Sequence, residues 1–332
     1  MKPLLPFLIS INLEGGNAET MTLFLQELVV GLATGAIYAL IALGYTMVYG
    51  IIELINFAHG DIFMMGSLIS IAILGLFGIT STSQPTGLAL VSLMVVACLG
   101  SMLICAVMGV VIERVAYRPL RNAPRLAPLI SAIGVSLILQ DVGKLWKGVT
   151  NVSFPQIFPQ ITYDIGPVTV SSVNILVIVV AFVLMVGLQL FVSRTRTGRA
   201  MRAVAQDREA AALMGVNVDR IISITFFIGA GLAGAAGFIY GLQYGSTIFF
   251  IGLQLGLIAF TAAVLGGIGN LVGAMLGGIL IGIIDALATL IPPSVLPHGG
   301  APWHNAIIFA ILILILVFRP SGLLGQQTPE KV

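Results

Sequence analysis

Charged side chains are scarce in this sequence: 8% of the 332 residues are Asp, Glu, Lys or Arg, while 58% are hydrophobic. Soluble domains carry about 25% charged residues. A chain with so few charges cannot present a folded surface to water, which excludes a soluble globular protein. The sequence instead predicts an integral membrane protein whose spans are helices of about 20 apolar residues, because a helix satisfies its own backbone hydrogen bonds in lipid. The alternating segments typical of outer-membrane barrels are absent.

Histidine and cysteine are also rare, which argues against a metal site or a catalytic centre. None of the three histidines, His59, His298 and His304, has a Cys or a carboxylate at ligand spacing. Cys98 and Cys105 lie about two helical turns apart in one predicted span, too far for a disulfide. The sequence has no Walker-type phosphate loop, and its basic loops lack the interleaved aromatic residues that bind nucleic acid. We therefore expect neither an enzyme nor a nucleic-acid-binding protein, and no metal ligands.

Apolar runs predict about nine membrane spans, so the expected fold is an all-α integral membrane protein of about eight to ten helices. The predicted spans are 22–44, 60–79, 88–112, 128–146, 173–192, 221–243, 252–265, 271–291 and 305–318. A tenth candidate, 45–57, is too short and too interrupted to span alone, and we interpret it as a bent or re-entrant piece.

The predicted organisation is a single transmembrane domain, 22–325, with a short segment at each end. Residues 1–21 form an external extension that lacks the features of a secretion signal, and initiation at Met21 would remove nothing that the fold needs. Residues 326–332 form a tail.

Basic residues are distributed unevenly between the predicted loops. Twelve of the 15 fall on one face: Arg114, Arg118, Arg121, Arg125, Arg194, Arg196, Arg199, Arg202, Arg208, Arg220, Arg319 and Lys331. Lys2, Lys144 and Lys147 remain for the other. Because Lys and Arg beside a span are retained in the cytoplasm, we predict that the first face and the C-terminus are cytoplasmic, and that the loops 147–172 and 292–303 are external.

Glycine is frequent inside the predicted spans, often with four-residue spacing. The pairs are Gly31 and Gly35, Gly237 and Gly241, Gly273 and Gly277, and Gly278 and Gly282. This spacing predicts close packing of helices in the membrane. The glycine-rich run 265–273 does not fit a nucleotide-binding fingerprint, and we interpret it as a tight turn between two spans.

Six ionisable residues lie near or within the predicted spans, and such residues are candidates for function. They are Glu53, His59, Asp61, Glu113, Asp141 and Asp285. His59 and Asp61 stand where a turn enters a helix, so capping or turn structure is favoured over lining a pathway or relaying protons. For Glu113 we favour pairing with the adjacent Arg114. Asp141 and Asp285 lie near the external ends of their helices, where solvation is favoured over contact with a substrate.

The segment 194–220 is the one long charged stretch that can form a helix. From 198 to 213 its apolar residues Met201, Val204, Ala205, Ala212 and Leu213 share one face, while Arg202, Gln206, Asp207, Arg208 and Glu209 occupy the other sides. Gly215 then supplies a helix stop. Two interpretations remain open from the residues alone: a helix that docks into a groove of a soluble partner, or an interfacial helix on anionic lipid.

Four motifs in order resemble one transporter family. They are "GIIELINFAHGDIFMMGS" (50–67), "RPLRNAP" (118–124), "GRAMRAVAQDREAAALMGVNVDRI" (198–221) and "AFTAAVLGGIGNLVGAMLGG" (259–278), followed by "FRPSGLLG" (318–325). Together they resemble the LivH-type permease subunit of branched-chain amino acid ABC importers, the binding-protein-dependent component in the inner membrane. The similarity extends from about residue 23 to residue 324.

The resemblance implies two related halves around a central pathway and a role for two groups of residues. A coupling helix that docks on the ATP-binding subunit would include Arg202, Ala205, Gln206, Asp207, Arg208, Glu209, Ala212 and Gly215. Corresponding helix breaks or pathway residues would be Asn56, His59, Gly60 and Asp61, and Gly266, Gly267, Gly269 and Asn270.

The implied function is transport of branched-chain amino acids, or of related amino acids, amides or urea, across the bacterial inner membrane. The implied partners are two ABC ATPase subunits that bind ATP and Mg²⁺, a second, LivM-like permease, and an external solute-binding protein; this chain itself binds no cofactor. The competing hypothesis is an ion-coupled secondary transporter that acts alone, with His59 and Asp61 as coupling groups.

Overall fold

The computed structural model describes residues 17–79, 85–121, 123–124, 126–319 and 321–325. Eleven α-helices account for most of them: α1 Asn17–Ile52, α2 Ala58–Leu76, α3 Gly87–Ile112, α4 Leu126–Lys147, α5 Ser172–Arg194, α6 Arg196–Gln206, α7 Arg208–Leu213, α8 Val218–Tyr244, α9 Ile251–Gly266, α10 Leu271–Ala288 and α11 His304–Phe318. Within these residues eight helical segments are long and apolar enough to cross a membrane, and α9 is a shorter apolar helix. The predicted all-α membrane fold is confirmed.

The remaining regular structure is short. A π-helical turn, Glu113–Tyr117, and a 3-10 turn, Arg118–Leu120, follow α3, and a second 3-10 turn, Ala301–Trp303, precedes α11. Strands β1 (Val152–Ser153) and β4 (Ser246–Thr247) pair antiparallel, as do β2 (Thr162–Ile165) and β3 (Val168–Ser171) in a hairpin. Most of the predicted extension 1–21 and the tail 326–332 lie outside the described residues.

The separate re-entrant piece predicted at 45–57 is wrong in part, because α1 is one continuous helix of 36 residues that extends to Ile52. No proline follows Gly44 to end the helix, and the segment after it continues the apolar pattern. The helix ends where Glu53 adopts a left-handed conformation with φ of 57°. Only residues 53–57 are non-helical before α2 begins.

Glycine faces bring α1 and α10 into backbone contact, as the spacing of small residues predicts. A Cβ added at Gly35 would lie 2.8 Å from the Cα of Ile279, and one at Gly31 would lie 2.8 Å from the Cα of Ile283. A Cβ at Gly282 would overlap the backbone of Gly35. The hydrophobic effect cannot drive helix association inside lipid, so van der Waals packing at this short distance stabilises the contact between α1 and α10.

Helix α8 lies at the centre of the body, in contact with α1, α2 and α3. Its Gly234 would bring an added Cβ to 2.7 Å from the carbonyl oxygen of Ser101 in α3, and Gly66 of α2 would bring one to 2.6 Å from the Cα of Gly234. One small residue therefore lets two neighbouring helices approach α8.

The helical body has two distinct ends. At the first, which we call the arginine-rich end, the guanidinium of Arg208 donates to the carbonyl oxygen of Ile51, where α1 ends. The backbone N–H groups of Leu323 and Leu324 donate to the carbonyls that end α9. At the opposite end lie the β2–β3 hairpin and the loop 147–172. The segregation of basic residues along the sequence thus corresponds to one end of the structure.

Candidate functional site

The non-helical segment 53–57 between α1 and α2 leads back into the interior of the helical body. Asn56 is buried and accepts a hydrogen bond from the Tyr117 hydroxyl at 2.7 Å. The ring of His59 lies against Gly44 of α1, because a Cβ added at Gly44 would overlap that ring. The same Cβ would lie 3.2 Å from the carbonyl oxygen of Gly229 in α8. Since Gly229 lies about 16 Å along α8 from its start, at 1.5 Å per residue, α2 begins near mid-depth rather than at the arginine-rich end.

Asp61 lies in the first turn of α2 and is fully buried. One carboxylate oxygen accepts hydrogen bonds from the Ser136 hydroxyl and, at 3.4 Å, from the Gln140 amide, both on α4. The other oxygen has no hydrogen-bond partner among the described residues, and neither does Nε2 of His59. Of the favoured interpretation, capping or turn structure, the capping part is wrong, because no side chain caps α2 and Asp61 accepts from another helix. A turn does enter α2 here, since the backbone N–H of His59 donates to the carbonyl of Asn56 at 3.0 Å.

Helix α9 also begins inside the body, beside the start of α2. A Cβ added at Gly60 would lie 2.9 Å from the Cα of Gly256 and would overlap the carbonyl oxygen of Gly252. The Tyr45 ring contacts His59 at 4.9 Å between centroids and also contacts Phe260. The start of α9 was not predicted as a break, because its depth depends on tertiary packing that no local sequence signal records.

The second predicted break, at Gly266, Gly267, Gly269 and Asn270, is a tight turn between α9 and α10 at the arginine-rich end. Gly267 and Gly269 have φ of 102° and 92°, which favours glycine. The Asn270 side chain caps α10 through the N–H of Gly273 at 3.0 Å and donates to Leu324. This turn adjoins the end of α1, since a Cβ at Gly50 would lie 3.4 Å from the Cα of Gly269.

An ion-pair network joins the end of α3 to the start of α8. Glu113 is 0% exposed and accepts from Arg121 and, at 2.7 Å, from the Ser223 hydroxyl. Arg121 and Arg118 both also pair with Asp219. The predicted pairing of Glu113 with Arg114 is wrong: Glu113 begins a π-helical turn and faces α8, while Arg114 is exposed.

The charged segment forms two helices, α6 and α7, rather than one. Asp207 ends α6 with extended backbone and caps α7 by accepting from the N–H groups of Glu209 and Ala210, both at 3.0 Å. The buried residues of these two helices are Gly198, Met201, Val204 and Ala211. The exposed residues include Arg202, Ala205, Gln206, Asp207, Glu209, Ala212 and Gly215.

Of the five residues predicted to share one apolar face, two are buried, Met201 and Val204, and three are exposed, Ala205, Ala212 and Leu213. The break at Asp207 changes the rotation of α7 relative to α6, so the apolar residues of the two helices do not form one continuous face. As a result Leu213 and Met214 are 88% and 85% exposed, side by side at the end of α7. The predicted apolar face included Leu213, but the exposed pair that it forms with Met214 was not predicted. The unusual run of two large apolar residues before the helix-stop Gly215 was the available signal.

The α6–α7 pair is attached firmly to the spans. Thr195 caps α6 by accepting from the N–H of Gly198 at 3.0 Å, and Arg202 donates to the carbonyl of Val192 in α5. Arg208 donates to the carbonyl of Ile51 in α1 at 2.6 Å through one nitrogen and at 3.0 Å through another. A force on α6 and α7 therefore acts directly on α1 and α5.

The cap at Asp207 gives a direct test of this two-helix arrangement. We expect Asp207→Ala to destabilise α7 by about 1 kcal/mol, because two backbone N–H groups lose their acceptor. Hydrogen exchange of the amides 209–213 should become about fivefold faster, while Asp207→Asn, which keeps an acceptor oxygen, should exchange as the unsubstituted protein does. Equal exchange in the alanine variant would mean that α7 does not depend on this cap.

At the opposite end, Asp285 of α10 is held by protein groups. It accepts from the Tyr38 hydroxyl at 2.8 Å and pairs with Nδ1 of His304 at 2.7 Å, so the interpretation of a solvated rim residue is wrong for Asp285. Asp141 is exposed at the far end of α4. No group of three or more His, Cys, Asp or Glu among the described residues has a geometry that would hold a metal ion.

An all-helical body in which two helices begin near mid-depth, with a charged helix pair attached to one end, has the architecture of a multi-pass membrane permease. A family model described as "Branched-chain amino acid transport system / permease component" matches residues 28–316. The chain belongs to this family, which confirms the resemblance found in its motifs.

Named relatives match along almost the whole chain. The sequence is 45% identical to the high-affinity branched-chain amino acid transport system permease protein BraD of Pseudomonas aeruginosa over 317 residues, 93% of this chain and 98% of that protein. It is 42% identical to the permease protein LivH of Escherichia coli K12, covering 95% of this chain and all of that protein. A probable LivH of Methanocaldococcus jannaschii is 28% identical over 86% of this chain and 88% of its own length. The protein is thus a transporter subunit of the inner membrane.

Proposed function

We propose that this chain is one of two permease subunits of an importer of branched-chain amino acids that is driven by ATP. The family match over residues 28–316 carries the proposal, together with identities of 42–45% to permeases named for that transport. ATP and Mg²⁺ bind on two separate ABC ATPase subunits. A second, LivM-like permease completes the pathway, and an external solute-binding protein delivers the substrate.

The arginine-rich end faces the cytoplasm, and so does the C-terminus. The positive-inside rule supports this orientation, since the arginines of α6 and α7 and those after α3 lie beside the ends of spans. The β2–β3 hairpin and the loop 147–172 then face outward, where the solute-binding protein docks.

The α6–α7 pair is the contact with the ATPase subunit. Its exposed surface presents Arg202, Ala205, Gln206, Glu209 and Ala212 together with the apolar pair Leu213 and Met214. A central apolar anchor within a polar rim is the usual composition of a protein interface. Asp207 and Arg208 have a different role here: Asp207 caps α7, and Arg208 connects it to α1.

Transport requires the buried starts of α2 and α9 to separate. Asn56, His59, Gly60 and Asp61 lie at this junction, and in the present conformation Gly60 is packed against the backbone of α9. Movement of α6 and α7 reaches the junction through α1, which Arg208 contacts at one end and His59 contacts at Gly44. ATP drives the change by binding one conformation more tightly than the other.

Uptake in proteoliposomes distinguishes this proposal from an ion-coupled transporter. We expect leucine uptake only when this chain is reconstituted with the second permease, the ATPase subunits and the binding protein, and only with ATP and Mg²⁺ present. An ATPase variant that cannot hydrolyse ATP is the matched control and should abolish uptake. Uptake by this chain alone under a proton or sodium gradient would overturn the proposal in favour of a secondary transporter that uses His59 and Asp61.

A further inference from the structure

A groove of about 400 Å³ opens on the outer surface at the arginine-rich end, between α3 and α8. Its lining includes Val110 of α3, Arg114 of the π-helical turn after it, and Arg220, Ile224 and Phe227 of α8. None of the residues assigned above to the junction of α2 and α9, or to the exposed surface of α6 and α7, lines this groove.

The lining changes from charged to apolar along both helices. On α8, Arg220 is followed one and two turns deeper by Ile224 and Phe227, and on the α3 side Arg114 is preceded one turn deeper by Val110. Phe227 is 40% exposed. It lies about two helical turns beyond Arg220 along α8, in the direction of the membrane interior. A ligand that fills this groove must therefore carry a polar head at the arginine-rich end and an apolar body that extends inward.

The charges that remain unpaired in the groove are positive. Arg118 and Arg121 pair with Asp219, and Arg121 also pairs with Glu113. Among the described residues Arg114 and Arg220 are exposed and form no ion pair. The start of α8 lies at the same position, and its helix dipole adds positive potential. Two guanidinium groups that are free to donate favour a phosphate oxygen acceptor.

We propose that this groove binds an anionic phospholipid of the cytoplasmic leaflet, with its phosphate between Arg114 and Arg220 and an acyl chain along Val110, Ile224 and Phe227. The proposal rests on the proposed function only for the leaflet, because the cytoplasmic leaflet carries anionic lipid. The bound lipid would hold the end of α3 against the start of α8, the helices that the Glu113–Arg121–Asp219 network already joins. It would therefore act as a structural lipid of the permease.

Native mass spectrometry of the full chain in neutral detergent tests the proposal without any partner subunit, so its outcome is independent of the ATPase assignment. We expect phosphatidylglycerol to bind at least about tenfold more tightly than phosphatidylcholine. Arg114→Gln with Arg220→Gln should remove this preference, because two charge-assisted contacts are lost. Arg114→Lys with Arg220→Lys should keep most of it. The thermal unfolding midpoint in phosphatidylcholine should be unchanged in both variants, which separates loss of binding from loss of fold.

The matched control removes the same charge elsewhere: Arg196→Gln with Arg199→Gln, two exposed arginines of α6. It should retain the preference for phosphatidylglycerol. If the control loses this preference as fully as the Arg114 and Arg220 variant does, the preference reflects overall charge, and the proposed lipid site is wrong. Displacement of the lipid by millimolar inorganic phosphate would overturn it in favour of a simple anion pocket. Release of the lipid on addition of the ATPase subunits would overturn it in favour of a protein contact.

Discussion

Gly282→Ala should destabilise the protein by about 2 to 3 kcal/mol, although alanine is the better helix former. The added Cβ would overlap the Cα and N of Gly35, which are backbone atoms of a packed helix and cannot rotate away. Helices α1 and α10 must then separate and lose packing along their contact, and this loss exceeds the gain in helix propensity of about 1 kcal/mol. The thermal unfolding midpoint in detergent, monitored by size-exclusion chromatography, measures the change.

Gly187→Ala provides a control of identical chemistry. Gly187 lies in α5 on an exposed face with no atom within 4 Å of an added Cβ. Here only the propensity gain remains, so we expect the midpoint to stay level or rise. Gly282→Ala should therefore lower the midpoint, and Gly187→Ala should not. A Gly282→Ala variant as stable as Gly187→Ala would contradict the close approach of α1 and α10.

The spans and the glycine contacts were predictable because their causes are local or periodic. A run such as 271–288 is apolar whatever its neighbours, and lipid requires such a run to be helical. The four-residue spacing of Gly278 and Gly282 places both on one helix face. The family was identified from four motifs in order, which tertiary structure does not change.

Other features could not be predicted, because the sequence is compatible with two alternatives and only tertiary contacts select one of them. Asp207 is compatible with the exposed face of one helix and equally with the cap between two, and the choice changes the side on which Leu213 lies. Glu113 has Arg114 as its neighbour in sequence, yet a π-helical turn directs it to Arg121 and Ser223. The depth at which α2 and α9 begin depends on Gly60 meeting Gly252 and Gly256, residues almost 200 positions apart in the chain.

The exposed pair Leu213 and Met214 gives the proposed ATPase contact its most direct test. We expect Leu213→Ser with Met214→Ser to reduce ATP-driven uptake at least about tenfold and to weaken retention of the ATPase subunits on co-purification. Buried apolar anchors of an interface contribute about 1 to 2 kcal/mol each or more, and 1.4 kcal/mol corresponds to a factor of ten. Because both side chains are almost fully exposed in this chain, its unfolding midpoint should not change.

Leu145→Ser with Val149→Ser makes the same kind of change at the opposite end, where both residues are also exposed. This control should retain the ATPase subunits. The pair at 213–214 is a better probe than Asp207 or Arg202, because those side chains also hold α6 and α7 in place and their loss would reduce coupling indirectly. Normal uptake by the 213–214 variant, combined with weaker binding of the chain to anionic vesicles, would mean that α7 rests on lipid. The force from ATP would then have to enter the permease elsewhere.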